Sequence, residues 1–322
     1  MIPHIHLGFI AIPSYALFAL IGMICYVITT ITVFEKAEKK PQSVTNKFLI
    51  ISIFGFAALY AFAFLFNSLF HSIEEKKLVL GGITWLGGVL GGFPATILMI
   101  HYFAPPARGK ALEYFDLMIP GIIIAHGIGR IGCFFAGCCY GGVTDSVLGV
   151  SFPAGSAAAL QYPSESGGSL PVIPTQLIEA GFEIVLFLVL IAGYKIFRNH
   201  FTEMYAFAYG TFRFAIEFFR GDDRGSTGMI LTPSQCMSIV LIILGLLCLF
   251  YKKRILFKKL HEKMDFMAEQ VKTQGEKLTV KSIRLLRELK KLCDDGIITE
   301  EEFFEKKKEI LNLSNEHFTH KS

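Results

Sequence analysis

The most informative segment of the chain reads His126-Gly-Ile-Gly-Arg-Ile-Gly-Cys-Phe-Phe-Ala-Gly-Cys-Cys-Tyr140. It places a histidine, an arginine and three cysteines in a run that is otherwise apolar, aromatic or glycine. A charge at membrane depth is costly, and it is seldom found there without a partner or a function. Glycine lets backbones pack closely or approach a ligand. We therefore expect the chemistry of the protein, if it has any, in this segment.

The composition points to a membrane protein. Of the 322 residues 52% are hydrophobic, and the mean hydropathy is +0.51, which is not typical of a soluble domain. Residues 1–251 carry 14 basic and 14 acidic side chains, whereas residues 252–322 carry the remaining 17 basic and 13 acidic ones. Residues 1–8 lack the basic region of a cleavable signal peptide, so we expect the first apolar run to remain as a span.

Seven apolar segments are candidate spans, at residues 9–34, 48–70, 78–103, 114–138, 176–197, 204–220 and 230–251. A helix needs about 20 residues to cross the hydrocarbon core, so the sixth segment is short. The predicted fold class is all-α: a polytopic membrane protein with seven transmembrane helices plus a C-terminal cytoplasmic helical hairpin.

Basic side chains follow the first, third, fifth and seventh segments, whereas residues 141–175 contain no Lys or Arg. The positive-inside rule then predicts that the N-terminus lies outside and the C-terminus in the cytoplasm. Residues 141–175 are rich in Gly, Ser and Pro, so they could form a mobile cover over a site or a solvated connector. The six glycines of residues 81–92 predict a broken helix that lines a cavity, or close packing of small residues.

Pairs of charged or polar side chains four residues apart occur in three predicted spans, which puts each pair on one helix face. One interpretation is structural ion pairing that fixes the order of the helices. We favour a phosphate site, because guanidinium groups make bidentate contacts with phosphate oxygens. The residues are His126 and Arg130, Glu179 and Glu183, and Arg213 and Glu217, with Arg220 three residues further on.

Four blocks resemble the bacterial phosphatidylglycerol–prolipoprotein diacylglyceryl transferases. Residues 129–141 (GRIGCFFAGCCYG) are similar to the central signature of that family. Residues 81–88 (GGITWLGG), 174–179 (PTQLIE) and 209–220 (YGTFRFAIEFFR) are similar to three flanking blocks. Together with Ser234, Gln235 and Ser238, the blocks follow the family order over residues 10 to 251.

The resemblance implies that a diacylglyceryl group is transferred from phosphatidylglycerol to the lipobox cysteine of a prolipoprotein. The reaction makes a thioether at the outer face of the bacterial inner membrane and releases glycerol phosphate. The implied partners are this or a related phospholipid, the prolipoprotein and the membrane; nucleic acid, metal and cofactor are not expected. The implied phospholipid-binding residues are Arg130, Gln176, Arg213, Glu217, Arg220 and Gln235.

Some positions depart from the family pattern. Leu86 takes the place of a family histidine, Cys133 and Ala136 replace asparagines, and Cys138 replaces a glutamate. The arginines remain while thiols replace acid–base groups, so His126, one turn before Arg130, becomes a candidate base. The activity is then the family reaction or a divergent form of it. The alternatives are a non-catalytic phospholipid-binding scaffold and a thiol-based membrane oxidoreductase.

Three cysteines cluster in the sequence at positions 133, 138 and 139. They could pack as small apolar groups, act as a nucleophile beside an arginine, or form a disulfide on the oxidising side. A metal site is the weakest interpretation, because the spacing is not C-x-x-C. The candidate catalytic residues are Arg130, Cys133, Cys138, Arg213 and His126.

The predicted domains are a membrane domain at residues 1–251, a basic linker at 252–277 and a helical hairpin at 278–322. The last segment resembles the short C-terminal (SHOCT) hairpin, which implies interaction with a protein partner or self-association. Thr299 and Glu302 predict a capping box, and Gly296 the turn before it.

Overall fold

The structure is a computed structural model that describes residues 4–7, 10–80, 85–107, 109–222, 231–274 and 280–319. It consists of helices apart from one short antiparallel hairpin and isolated bridges, which agrees with the predicted all-α class. The chain divides into two compact units, Met1–Gly245 and Leu246–Ser322.

The first unit begins with strands β1 (His4–Leu7) and β2 (Ile10–Pro13), which pair with each other. The predicted first span started at residue 9, but residues 10–13 are extended and the helix begins at Ser14. The helices of the first unit are α1 (Ser14–Ile31, prolonged by a π-helical turn at Thr32–Ala37), α2 (Gln42–Glu75), α3 (Trp85–Phe103), α4 (Ala111–Ala136), α5 (Ala157–Gln161), α6 (Thr175–Ala192), α7 (Tyr194–Phe197), α8 (Phe201–Ile216) and the start of α9 (Pro233–Gln274).

Five helices are long and apolar enough to cross a membrane: Ser14–Ala37, Gln42–Leu69, Ala111–Ala136, Thr175–Ala192 and Ser234–Met267. They coincide with five of the seven predicted spans. The other two predicted spans, 78–103 and 204–220, coincide with α3 and α8. Helix α8 has 16 residues, fewer than the roughly 20 that a perpendicular crossing needs. The structure therefore supports a polytopic membrane protein, and the count of seven stays a prediction.

Glycines let α4 pack closely on both of its sides. A Cβ atom added at Gly121 would lie 2.8 Å from Cδ2 of Tyr26 in α1, which only a hydrogen permits. A Cβ atom at Gly127 would lie 3.0 Å from the Cβ of Glu183 in α6. Helix α4 is therefore the central element of the first unit, and it carries the segment that the sequence singles out.

The glycine-rich block is helical where the structure describes it. Helix α3 is continuous from residue 85, and a Cβ atom at Gly92 would lie 2.6 Å from the Cα of Leu59 in α2. The packing of small residues against a neighbouring helix is thus confirmed for residues 85–92, and the broken helix is wrong there. Residues 81–84 and the side chain of Leu86 lie outside the described part of the chain.

Residues 141–175 form a hydrogen-bonded layer with its own small core. Backbone bridges join Gly141 to Arg220 and pair Val172 with both Val143 and Val150. Its backbone is thus tied to itself and to Arg220, which follows α8; whether the segment covers a site or only connects two helices stays a prediction. Its core consists of Tyr140, Phe152, Ala158 and Val172.

The second unit contains the rest of α9, α10 (Val280–Asp294) and α11 (Glu300–Thr319). The residues predicted as a linker are helical as far as Gln274, and residues 275–277 lie outside the described part. The predicted capping box is confirmed: Glu302 N–H donates to Thr299 Oγ1 at 3.2 Å, and Thr299 N–H donates to Glu302 Oε2 at 2.8 Å. Gly296 has φ +66°, as the predicted turn requires.

The close contact at Gly92 yields a test of the packing. Gly92→Ala should lower the free energy of unfolding of the purified protein in detergent by about 1–3 kcal/mol, because the added methyl group overlaps the backbone of α2. The control is Gly181→Ala in α6, where an added Cβ meets nothing within 4 Å, so helix propensity alone should leave stability unchanged or slightly higher. Equal behaviour of the two variants would contradict the α2–α3 packing.

Candidate functional site

The first part of the site is an ion pair between α4 and α6. Arg130 Nη2 lies 2.8 Å from Glu179 Oε1, and the Glu179 side chain is fully buried. The hydroxyl of Tyr209, on α8, donates to the same carboxylate oxygen at 2.8 Å. Three helices therefore meet at one carboxylate. Arg213 also lies near enough to Glu179 to interact with it electrostatically.

The second part of the site lies one helical turn away and is built around His126. Its Nδ1 lies 2.8 Å from Glu183 Oε1, and the Glu183 side chain is also fully buried. The Tyr205 hydroxyl lies 3.1 Å from the same ring nitrogen. A carboxylate at Nδ1 favours the tautomer that carries its proton there, so Nε2 becomes the basic nitrogen of the ring.

The third part lies where α8 meets the start of α9. Arg213 Nη1 lies 2.8 Å from Glu217 Oε2, although their angle is not that of a hydrogen bond. Arg213 Nη2 donates to Ser234 Oγ at 2.9 Å, and the Thr232 hydroxyl donates to Glu217 Oε1 at 2.9 Å. Gln235 Oε1 accepts the Thr232 N–H at 3.0 Å, so this glutamine fixes the turn before α9.

Arg220 lies at the end of α8, beside the layer formed by residues 141–175. It makes a bidentate pair with Asp222, with Nε and Nη2 at 2.8 and 2.7 Å from the two carboxylate oxygens. It also contacts the Cys139 thiol. Burial raises the pKa of the nearby Tyr140 hydroxyl, and the Asp222 carboxylate raises it further.

The three clustered cysteines converge where α4 ends. Gly137 (φ +73°) and Cys139 (φ +63°) adopt left-handed conformations that turn the chain back on itself. The Sγ atoms of Cys133, Cys138 and Cys139 lie within 4.8 Å of one another, and none of the three is in a disulfide. This convergence could not be predicted from the C-x-x-C spacing rule, because the turn after α4, and not the helical repeat, brings the thiols together.

Two side chains at the start of α6 hold the turn that contains Cys138 and Cys139, here called the cysteine turn. The Gln176 side-chain amide donates to the Cys138 carbonyl at 2.7 Å, and the Thr175 hydroxyl donates to the Cys139 carbonyl at 2.8 Å. Both side chains are fully buried. The predicted contact of Gln176 with lipid therefore has to come from its other amide atom, Oε1.

Several buried atoms of the site have hydrogen-bonding capacity left over. Within the described part of the chain, Arg130 Nε and Arg220 Nη1 have no hydrogen-bond acceptor, and Gln176 Oε1 has no donor. Glu179 Oε2 and Glu183 Oε2 likewise accept no hydrogen bond from the described residues. Buried polar atoms are normally satisfied, so each of these atoms suits a ligand. The ion pairs of Arg130 and Arg220 thus leave one buried donor atom on each guanidinium without an acceptor among the described residues.

The predicted site residues that the structure describes lie on α4, α6, α8 and the start of α9 and in the turns after α4 and α8. Two tyrosines of the site, Tyr205 and Tyr209, were not predicted from the sequence, although their spacing could have indicated them. Positions 205, 209, 213 and 217 repeat every four residues along α8, and this spacing puts the tyrosines on the same face as the charged pair. The hydroxyl partners Thr232 and Ser234 carry no comparable pattern.

These features define a polytopic α-helical membrane protein with a buried site of arginines, carboxylates and thiols. The chain belongs to the prolipoprotein diacylglyceryl transferase family, whose model matches residues 3–251. A second model, the short C-terminal domain, matches residues 284–311.

Curated relatives agree with the family assignment. A phosphatidylglycerol–prolipoprotein diacylglyceryl transferase 2 from Clostridium perfringens is 37% identical over 168 residues, which cover 52% of this chain and 60% of the relative. A transferase from Clostridium tetani is 32% identical over 200 residues, covering 62% and 75%. One from Francisella tularensis subsp. novicida is 34% identical over 277 residues, covering 78% of this chain and 96% of its own.

The Arg130–Glu179 pair yields a test of the geometry. Glu179→Ala should destabilise the protein by about 3–5 kcal/mol, because it leaves a buried guanidinium without its counter-charge. Glu262→Ala removes the partner of Lys258 from an exposed pair with N···O 3.9 Å and should cost only about 0–1 kcal/mol. Unfolding in mixed micelles measures both. A Glu179→Ala protein as stable as the Glu262→Ala protein would show that the pair is not formed.

Proposed function

We propose that the protein transfers the diacylglyceryl group of phosphatidylglycerol to the thiol of a prolipoprotein cysteine and releases glycerol phosphate. The observation that carries the proposal is the pair of buried donor atoms, Arg130 Nε and Arg220 Nη1, that have no acceptor among the described residues. Such donors suit an anionic phosphate. Membership of the diacylglyceryl transferase family and the names of the relatives support the same reaction.

In this proposal the arginines hold the lipid phosphate. Arg213 is buried, whereas the Arg130 side chain is 15% exposed, and both are partly neutralised by carboxylates. Arg220 follows α8 and pairs with Asp222. When the bond between the glyceryl carbon and the phosphate oxygen breaks, negative charge grows on the phosphate. Fixed guanidinium donors in a low-dielectric site stabilise that charge more in the transition state than in the bound lipid.

The acceptor atoms of the site suit the rest of the head group. Phosphatidylglycerol carries hydroxyl groups on its terminal glycerol, and these are hydrogen-bond donors. Gln176 Oε1 and Glu179 Oε2, which lack donors among the described residues, are the acceptors that we propose for them. Glu217 and Gln235 act one step further out, because they position Arg213 and the turn before α9.

The acceptor thiol has to lose its proton, because the thiolate is the nucleophile. His126 is the side chain that we propose as the base, with Glu183 fixing its tautomer. Cys133 and Cys138 do not carry the glyceryl group in this proposal. A glyceryl group on either sulfur would be a thioether, and a thioether has no leaving group for a second transfer.

We infer seven spans with the N-terminus outside and the C-terminus in the cytoplasm of a bacterial inner membrane. The basic connections after alternate segments and the absence of Lys and Arg from residues 141–175 support this orientation. It puts the layer of residues 141–175 and the cysteine turn at the outer side. The short C-terminal domain then lies inside, where we propose that it binds a protein partner or a second copy of the chain.

Transfer of labelled diacylglycerol tests the function directly. The full-length protein in phosphatidylglycerol vesicles should transfer the label to a lipobox peptide, and a peptide with serine in place of the cysteine should stay unlabelled. Retention of lipid without transfer would favour the scaffold alternative. Thiol–disulfide exchange with the peptide in the absence of transfer would favour the oxidoreductase.

The proposed phosphate contacts predict a difference between two substitutions at one position. Arg213→Ala should abolish transfer, whereas Arg213→Lys should retain a small part of it, because lysine keeps the charge but loses the bidentate geometry. Arg254→Ala, which changes an exposed arginine of α9, serves as the control and should transfer at the wild-type rate. An Arg213→Ala protein with wild-type transfer would refute the proposed phosphate site.

The proposed organisation predicts the behaviour of a truncated chain. Deletion of residues 278–322 should leave transfer unchanged, since the described side chains of the site all lie before residue 246. Loss of transfer in a folded truncated protein would show that the tail takes part in the reaction.

The proposed orientation has its own test. A C-terminal tag on the full-length or the truncated chain should resist protease added to intact spheroplasts and become sensitive after lysis. Digestion of the tag in intact spheroplasts would show the opposite orientation.

A further inference from the structure

We propose that Cys133, Cys138 and Cys139 form a three-thiolate zinc site whose fourth coordination position binds the acceptor cysteine of the substrate. The proposal rests on the proposed function and adds to it the group that activates the incoming thiol. None of the roles implied by the family resemblance assigns a metal to these positions.

The geometry of the thiols carries the proposal. Their Sγ atoms lie within 4.8 Å of one another. Zinc–thiolate bonds of ~2.3 Å in a tetrahedral site place sulfur atoms ~3.8 Å apart, so small side-chain rotations bring all three sulfurs to one ion. The backbone that presents them is held by Thr175 and Gln176, whose side chains bond the carbonyls of Cys139 and Cys138.

The number of thiols favours a metal over a disulfide. A disulfide uses two sulfurs and leaves the third cysteine without a role, whereas all three converge on a common point. Three cysteines within seven residues, with a left-handed residue at Cys139, are arranged so that no sulfur points away from the others. This is the ligand set of a soft or borderline cation.

The surrounding charge suits the complex. Three thiolates and one Zn²⁺ carry a net charge of about −1, and a fourth thiolate would make it about −2. Arg130 interacts electrostatically with Cys133 and Cys139, and Arg220 contacts the Cys139 thiol. These two guanidinium groups, which also pair with Glu179 and Asp222, lie close enough to the thiols to attract a negatively charged complex.

Three protein ligands leave an open position, which is typical of catalytic zinc sites. A thiol that binds zinc there is deprotonated. Cys133 follows Arg130 by three residues, so both lie on one face of α4. A zinc-bound acceptor thiolate would thus lie beside the phosphate that we place on Arg130, which is where the reacting carbon of the lipid is attached.

The acceptor thiol binds zinc and releases its proton to water at the outer face or to His126. Its sulfur then attacks the glyceryl carbon, and a carbon–sulfur bond forms as the bond between that carbon and the phosphate oxygen breaks. The electron pair stays on the phosphate oxygen, and glycerol phosphate leaves. The thioether product is a weaker zinc ligand than the thiolate, so it can leave the metal.

The first test measures the metal itself. The full-length protein, purified in detergent with reductant, should hold one zinc ion per chain, and cobalt in its place should show thiolate-to-cobalt charge-transfer absorption. Cys133→Ser and Cys138→Ser should each weaken zinc binding at least tenfold. Cys25→Ser, which removes a thiol from α1, should bind zinc like the wild type. As a control, the wild-type protein stripped of metal with a chelator should stay monodisperse and helical. This result would show that the loss of metal does not unfold the protein.

The second test separates this inference from the proposed function. Stripping zinc should lower transfer to the lipobox peptide at least tenfold, and added zinc should restore it. Full transfer by the stripped protein would overturn the inference while leaving the proposed function intact. Stoichiometric zinc without any transfer would refute the proposed function and leave the metal site. A disulfide between two of these cysteines in protein that binds no zinc, or binding of copper(I) alone, would overturn the inference.

Discussion

The pairing of Arg130 with Glu179 is the interaction on which the rest of the membrane unit depends. An arginine at membrane depth costs roughly 3 kcal/mol or more when it has no partner. A fully buried glutamate on α6 offsets that cost, at 2.8 Å from the guanidinium. The pair can form only if α4 and α6 approach closely, and Gly127 permits the approach. Charge and glycine thus specify the same helix contact.

The same constraint links stability to function. A buried pair that satisfied all its atoms would be inert, whereas here Arg130 Nε and Glu179 Oε2 have no hydrogen-bond partner among the described residues. Tyr209 adds one bond to the carboxylate, and Arg213 adds positive charge nearby. The mutual attraction of the paired charges therefore offsets the cost of burying them. The donor atom that remains on Arg130 can still bind an anionic ligand. We propose a phosphate diester as this ligand, because guanidinium groups make bidentate contacts with phosphate oxygens.

Much of this arrangement follows from the sequence because two periodicities are strong. Apolar runs of about 20 residues indicate spans, and spacing of four residues puts His126 and Arg130, or Arg213 and Glu217, on one face. The partner of each charge could not be predicted, because helix order depends on packing between distant segments. The convergence of the three sulfur atoms could not be predicted for a local reason: it depends on two left-handed residues, Gly137 and Cys139, just after α4. The layered structure of residues 141–175 depends on backbone bridges that leave no mark in composition.

The decisive measurement is a structure of the protein in a lipid disc with bound phosphatidylglycerol. We expect the phosphate in the site between α4, α6 and α8, with oxygens at about 2.7–3.2 Å from Arg130 Nε and from Arg213 or Arg220. We also expect that the Arg130–Glu179 pair remains intact when the lipid is bound. A phosphate located only in the surrounding bilayer, with water bound to the arginine donors, would contradict the account.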